Sequence, residues 1–172
     1  MRAALFSLLA VALLAPAPAQ HPLADLVAKT IDATVTRVSD GDTLDILPAG
    51  EPRAIRLRVF GIDTPERGEP FANRARNHTR VLAFGKAVRV TGQSIDTYGR
   101  LVARVRVGEV DLGADLLREG LACHYTRYSS DRVYAEAQAS ARTRGAGFWA
   151  QGAEKPGCVS GWRSAYVPQN VR

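Results

Sequence analysis

The feature that most restricts this chain is a set of short runs in which aliphatic and polar residues alternate. Ile55, Leu57 and Val59 alternate with Arg56, Arg58 and Phe60, and Leu101, Ala103, Val105 and Val107 alternate with Val102, Arg104 and Arg106. A period of two puts one set on each face of a strand, so Arg58 points away from the aliphatic face. Thr34–Val38 and Thr43–Leu47 read as further strands, separated by the turn signal Asp40-Gly41. A hairpin loop from Pro48 to Pro52 leads on to the run at Ile55, so the first three strands form a meander. Val88 and Val90 alternate with Arg89 and Thr91, and the turn Asp96-Thr97-Tyr98-Gly99-Arg100 joins that run to the last.

Helical spacing marks the intervals. Phe71, Ala75, His78 and Leu82 recur until Gly85; Asp111 caps a helix carrying Leu112, Leu116 and Leu117 that Gly120 ends; a third runs roughly from Asp131 to Arg144, presents Val133, Ala137 and Ala141, and stops at Gly145. Leu23, Leu26, Val27 and Ile31 predict a short amphipathic helix or an ordered lead-in. His78 falls on an apolar helix face and reads as a core or boundary residue. Five short strands with a helix after the third is the order of a partly open five-stranded Greek-key barrel with three α-helices, the α+β OB-fold, which often binds oligonucleotides. A chain of 172 residues holds one such domain. It is expected over 33–150, between a lead-in at 20–32 and an irregular tail at 151–172 that Trp162 would anchor.

The N-terminus has a different grammar. Arg2, an apolar run from Ala3 to Ala15, and Pro16-Ala17-Pro18-Ala19 match a signal peptide over 1–19, with a mature chain starting near Gln20. The run is shorter than the ~20 residues of a stable membrane anchor. The expectation is a secreted or periplasmic protein with no stable membrane association. In an oxidising compartment the pair Cys123 and Cys158 favours a disulfide, the alternative being two unpaired residues. The formal charge of +6 rests on arginine, since Lys29, Lys86 and Lys155 are the only lysines. Arginine binds phosphate bidentately, which favours a polyanionic partner, but an Arg-rich base composition would give the same charge.

Three acids and an arginine gather between Asp40 and Glu66. Asp42 and Asp63 end strand-like runs that a meander brings together, and two close carboxylates call for a cation or a shared proton. With no Cys or His beside them the ligands are oxygens, which favours Ca²⁺ or Mg²⁺ over zinc. Each residue alone also serves as ordinary turn chemistry.

Taken together, Asp40-Gly41-Asp42-Thr43, Arg58, Ile62-Asp63-Thr64-Pro65-Glu66 and Asp96-x-Tyr98-Gly99-Arg100 resemble the staphylococcal (micrococcal) nuclease family, over about Thr34 to Trp149. Gly120-Leu121-Ala122 after a helix fits as well. The resemblance implies a Ca²⁺ held by Asp42, Asp63 and the backbone carbonyl of Thr64, with Glu66 activating water and Arg58 and Arg100 gripping the scissile phosphate. It implies phosphodiester hydrolysis of DNA and RNA, single-stranded or locally opened, by a monomer, with 3′-phosphorylated products. Asp40 looks like an outer acid rather than a ligand, and Arg56 like a solvated strand charge. Tyr98 and Tyr128 match tyrosines lining the family's nucleotide site, where a ring face accepts any base; packing at a barrel rim is the alternative for both. Two departures are visible: the loop from Glu66 to Phe71 is much shorter than in the staphylococcal enzyme, and Thr126 replaces a tyrosine. The rival function is a noncatalytic nucleic-acid-binding barrel, which would have little reason to keep Glu66.

Overall fold

The computed structural model describes residues 22–160. Its strands are β1 (Thr30–Val38), β2 (Thr43–Pro48), β3 (Ile55–Val59), β4 (Ile62–Asp63), β5 (Ala87–Ile95), β6 (Leu101–Val107), β7 (Val110–Asp111) and β8 (Cys123–His124). Its helices are α1 (Ala72–Ala83), α2 (Leu112–Arg118), α3 (Arg132–Arg144) and the single turn α4 (Gly157–Ser160). The order β3-β2-β1-β5-β6 is antiparallel throughout, and β3 then pairs in parallel with β6 through Leu57↔Leu101, Arg58↔Val102 and Val59↔Ala103. That last pairing closes the sheet. The barrel expected to be partly open is therefore a closed five-stranded OB-fold barrel, with both edges consumed.

Alternation does what the sequence implies. Val35, Leu44, Ile46, Leu57, Val59, Val90, Leu101, Ala103 and Val105 are buried inside the barrel, and Leu112, Leu116 and Leu117 of α2 join the same core. The side chain of Asp111 caps α2 by accepting from Ala114 N, and that of Asp131 caps α3 by accepting from Tyr134 N. Gly145 ends α3 at φ 63°, the left-handed conformation glycine adopts without cost.

One expectation is settled between its two alternatives and another is corrected. The lead-in is the ordered segment rather than the amphipathic helix: among the described residues only a 3₁₀ turn, Ala24–Leu26, precedes β1, and Ile31 lies within that strand. The stretch of β5 just beyond its pairing with β1 captures the segment, with Ala28 N donating to Gly92 O and Gly92 N to Lys29 O. Gly92 is required there, because a Cβ would sit 2.1 Å from Leu26 O. On α3, Val133 is 59% exposed, and Tyr134 is buried beside Ala137 and Ala141 instead. The reason is polar as well as apolar: the Tyr134 hydroxyl donates to Asp111 Oδ1 at 3.0 Å while its ring packs edge-on against His124.

His78 sits half-buried between α1 and α2, with Nε2 2.6 Å from Asp115 Oδ2. The segment past Trp149 is not wholly irregular, since α4 forms there and Cys158 is joined to Cys123 by a disulfide across a Cα–Cα distance of 6.1 Å. The signal-peptide segment and Trp162 lie outside the described residues.

Candidate active site

The site begins at the tight turn between β1 and β2. Gly41 has no room for a side chain: a Cβ would lie 2.8 Å from Thr64 Cγ2 and 2.9 Å from Ala75 Cβ of α1. Thr79 of α1 adds a hydrogen bond from Oγ1 to Gly41 O at 2.7 Å. The helix that follows the third barrel strand thus clamps the turn, and Asp42 is carried into the interior at 3% exposure. Its carboxylate is fully engaged. Oδ1 accepts from Arg58 Nη1 at 3.1 Å and from Thr43 Oγ1 at 3.2 Å, and Oδ2 accepts from the backbone N of Thr64 at 3.0 Å.

Arg58 projects from β3 on the face opposite Leu57 and Val59. Its Nη2 donates to Asp63 Oδ1 at 3.0 Å and to Ile62 O at 3.3 Å. One guanidinium therefore stands between the two carboxylates that the meander was expected to bring together. Burial works against its charge, but Asp42 and Asp63 outweigh that and raise its pKa, so it stays cationic. Asp63 reaches this position through β4, which pairs with β8 in the register Asp63↔Cys123 and Ile62↔His124.

Asp40 lies two residues before Asp42, and Glu66 three residues after Asp63. Asp40 Oδ1 is buried with no hydrogen-bond partner. Burial first, and then the charge of Asp42, raises the Asp40 pKa to about 6. Glu66 itself is exposed. The short segment after it is a closed turn: Glu69 N donates to Glu66 O at 2.9 Å, with Gly68 at φ 92° in the position where such turns take glycine.

The second arginine arrives from the β5–β6 turn. Asp96 organises that turn, its Oδ1 accepting from Tyr98 N and Arg100 N at 2.9 and 3.0 Å. Its Oδ2 accepts from Arg100 Nε at 2.6 Å, leaving the far end of the guanidinium for another anion. Tyr98 is 82% exposed and lies against Arg100 at 5.2 Å. Asp40, Thr43, Arg56, Tyr98 and Arg100 line one open cleft of ≈ 340 Å³. Arg56 is thus a cleft residue as well as a strand charge, braced by Ser39 Oγ at 3.0 Å. Tyr128 is not brought to that cleft. It lines a separate depression with Phe60 and Arg104 and packs edge-on against Tyr125 at 5.0 Å. Tyr125 follows β8, with its backbone N donating to Gly61 O at 2.8 Å. Its phenol pKa is raised chiefly by burial, then by Tyr128 and Asp63.

The donor set suits a hard divalent cation. Every candidate ligand is an oxygen, and the unpartnered buried Asp40 Oδ1 is the kind of group that nearby positive charge stabilises. Among the described residues no three acid, His or Cys side chains already converge on one point, because Asp42 and Asp63 are both turned onto Arg58.

The model of the family described as staphylococcal nuclease homologue matches residues 56–151. An "uncharacterized endonuclease" of Haemophilus influenzae is 33% identical over 129 residues, covering 75% of this chain and 71% of its own. A micrococcal nuclease of Shigella flexneri is 34% identical over 148 residues, covering 80% and 82%. The staphylococcal-like nuclease CAN1 of Arabidopsis thaliana is 31% identical over 134 residues, 77% of this chain but 40% of its own length. The chain belongs to the staphylococcal nuclease family. The matched stretch begins at Arg56 and so takes in Arg58, Asp63, Glu66 and Arg100, while the Asp40–Thr43 turn precedes it.

Sequence reasoning passed over three members of this family site. Asp96 holds Arg100, and its place four residues before that arginine in an Asp-x-Tyr-Gly turn was the available signal. Tyr125, next to Thr126, is tied beside β4 by its backbone N donating to Gly61 O at 2.8 Å, a placement that only the strand pairing reveals. Glu69 accepts from the backbone N of Glu66 at 2.7 Å, the reverse half of a turn whose forward half is Glu69 N to Glu66 O.

Proposed function

We propose that this protein is an exported, Ca²⁺-dependent nuclease that hydrolyses phosphodiester bonds of DNA and RNA with little sequence preference, giving 3′-phosphorylated products. The observation that carries this reading is Arg58 held between Asp42 and Asp63, with Glu66 exposed three residues beyond Asp63. A binding-only barrel has no use for a water-activating carboxylate beside buried acids. Export is supported by Arg2, the apolar run Ala3 to Ala15 and the cleavage-site pattern ending at Ala19, and by a disulfide suited to an oxidising compartment.

In this mechanism Asp42, Asp63 and the Thr64 carbonyl would hold the ion. When bound, Ca²⁺ supplies charge against a phosphate oxygen and a site for water. The chain's own residues do the rest. Arg58 and Arg100 approach the phosphate from β3 and from the β5–β6 turn, and stabilise charge as it grows on the equatorial oxygens. Glu66 accepts a proton from the attacking water, a contribution typically worth about 10²–10⁴-fold. The water oxygen bonds to phosphorus as the P–O5′ bond breaks, and the departing 5′ oxygen takes its proton from solvent water. Tyr98, exposed beside Arg100, offers a ring face to a neighbouring base of an unpaired strand.

The test is one digestion series on the mature chain. Single-stranded DNA, duplex DNA and RNA are incubated with Ca²⁺ or with chelator, beside a Glu66→Gln variant. Cleavage that requires the metal and falls at least ~10²-fold in the variant is expected. Retardation of DNA on a gel without cleavage in either Ca²⁺ or Mg²⁺ would replace this reading with that of a noncatalytic binding module.

A further inference from the structure

We propose that Glu69 is a positioning residue for Glu66, and that the disulfide-tethered segment at Gly157–Ser160 holds Glu69 in that role. The inference rests on the nuclease reading for its catalytic meaning, but its structural content is independent of it.

Glu66 is an exposed residue on a short loop, and the aim of a base in that setting depends on how its backbone is held. Glu69 holds it in both directions. Its backbone N donates to Glu66 O at 2.9 Å and its Oε2 accepts from Glu66 N at 2.7 Å. The carbonyl of Glu69 accepts from Ala72 N at 3.2 Å, which ties the turn to the first residue of α1. The other carboxylate oxygen, Oε1, accepts from Gly157 N at 3.2 Å, although the two residues are 88 apart in sequence.

Gly157 is itself anchored. Its neighbour Cys158 is bonded to Cys123, and Cys123 pairs in register with Asp63. Just upstream, Lys155 Nζ donates to Phe148 O and Ala150 O at 2.5 and 3.1 Å. The contacts thus form a ring: Asp63 to Cys123 by strand pairing, to Cys158 by the disulfide, to Gly157, to Glu69, and back to Glu66. The two acids at its ends are the candidate metal ligand and the candidate base. Closing that ring fixes the backbone of one relative to the other without any group touching substrate. Misplacement of a reacting group by about 1 Å can cost ~10²-fold in rate. A partial loosening of the turn should therefore cost about tenfold in kcat with KM little changed.

The experiment uses the full mature chain as Glu69→Ala, Glu69→Gln, Cys158→Ala and the Glu69→Ala/Cys158→Ala double variant. Two things are measured: kcat and KM on single-stranded DNA with Ca²⁺, and hydrogen exchange at the Glu66 amide without substrate. Glu69→Ala is expected to lower kcat about tenfold and to speed exchange at Glu66. Glu69→Gln, which keeps one acceptor oxygen, should recover part of both, and it serves if the alanine variant folds poorly. Cys158→Ala should move both in the same direction by less, and the double variant should lose little more than Glu69→Ala alone. Unchanged exchange at Glu66 in Glu69→Ala overturns the brace, and so does simple additivity of the two changes. Faster exchange with unchanged kcat in a chain that cleaves DNA overturns the positioning role alone. A wild-type chain that cleaves nothing sinks the nuclease reading and the catalytic role together, while the exchange measurement still decides whether the brace exists.

Discussion

Arg58 and Arg100, the two arginines assigned to the phosphate, are held in opposite ways. Arg58 lies on a barrel strand, its side chain 19% exposed, fastened at both nitrogens to acids from two other elements. Arg100 ends a surface turn, and its partner Asp96 belongs to that same turn. The first is positioned by tertiary structure and is part of what holds the structure. The second is positioned locally, by a loop that could be lifted out with its geometry intact. Equal catalytic importance therefore need not mean equal structural importance, and the two can be separated by experiment.

The largest effect expected is on activity and is common to both. Arg58→Ala and Arg100→Ala should each reduce cleavage by about 10²–10³-fold, since each removes a donor aimed at developing charge. Stability should then divide them. In chelator, Arg58→Ala leaves Asp42 and Asp63 sharing a buried site with no cation, a change that typically costs about 3–5 kcal/mol. Arg100→Ala should stay within about 1 kcal/mol of wild type, as for other partly exposed pairs. Denaturant melts of both variants decide the matter, and equal losses would erase the distinction.

A smaller effect probes the local character of the second arginine. Asp96→Ala removes acceptors for Tyr98 N, Arg100 N and Arg100 Nε at once. Cleavage should fall about tenfold, by analogy with other losses of orientation, with the melting of the barrel little changed. A variant that loses activity and fold in parallel would show that the turn is not self-contained.

The smallest effect concerns the contact between α1 and α2. The hydrogen bond to Asp115 raises the His78 pKa against the opposing effect of burial, with the charges of Asp115 and Glu119 adding to the rise and Arg118 also facing Asp115. A raised folded pKa means that the native state holds the proton more tightly. The contribution is thus complete below the ordinary histidine value of about 6.5 and is lost as pH climbs through the raised value. His78→Gln should cost up to about 1 kcal/mol at pH 5.5 and progressively less on the alkaline side. Stability measured against pH for both proteins tests it; a gap that widens with pH contradicts the sign.

Legibility followed the range of the forces involved. Strands with one buried face announced themselves, because alternation is written in neighbouring residues such as Ile55–Val59 and Leu101–Val107. The caps Asp111 and Asp131 and the stop at Gly145 were equally plain, each depending on contacts within a turn of helix. Val133 was misjudged, and the form of the lead-in left open, for the opposite reason. Helical spacing ranked Val133 as apolar without knowing that Asp111 would offer Tyr134 a hydrogen bond, or that β5 just beyond its pairing with β1 would draw Ala28 and Lys29 into pairing.

By itself, then, the sequence determined the barrel strands, the helices that follow them, and the short motifs bearing Asp42, Arg58, Asp63, Glu66 and Arg100. Those are local patterns, set by side-chain period and turn chemistry. Tertiary structure alone decided that β3 meets β6 to close the barrel, that one guanidinium lies between two carboxylates, and that Asp40 is left with a buried oxygen unpartnered. It also decided that a residue 88 positions away helps to hold the turn beneath Glu66. These depend on where chain segments distant in sequence come to rest, and burial and charge take their values only once that packing exists.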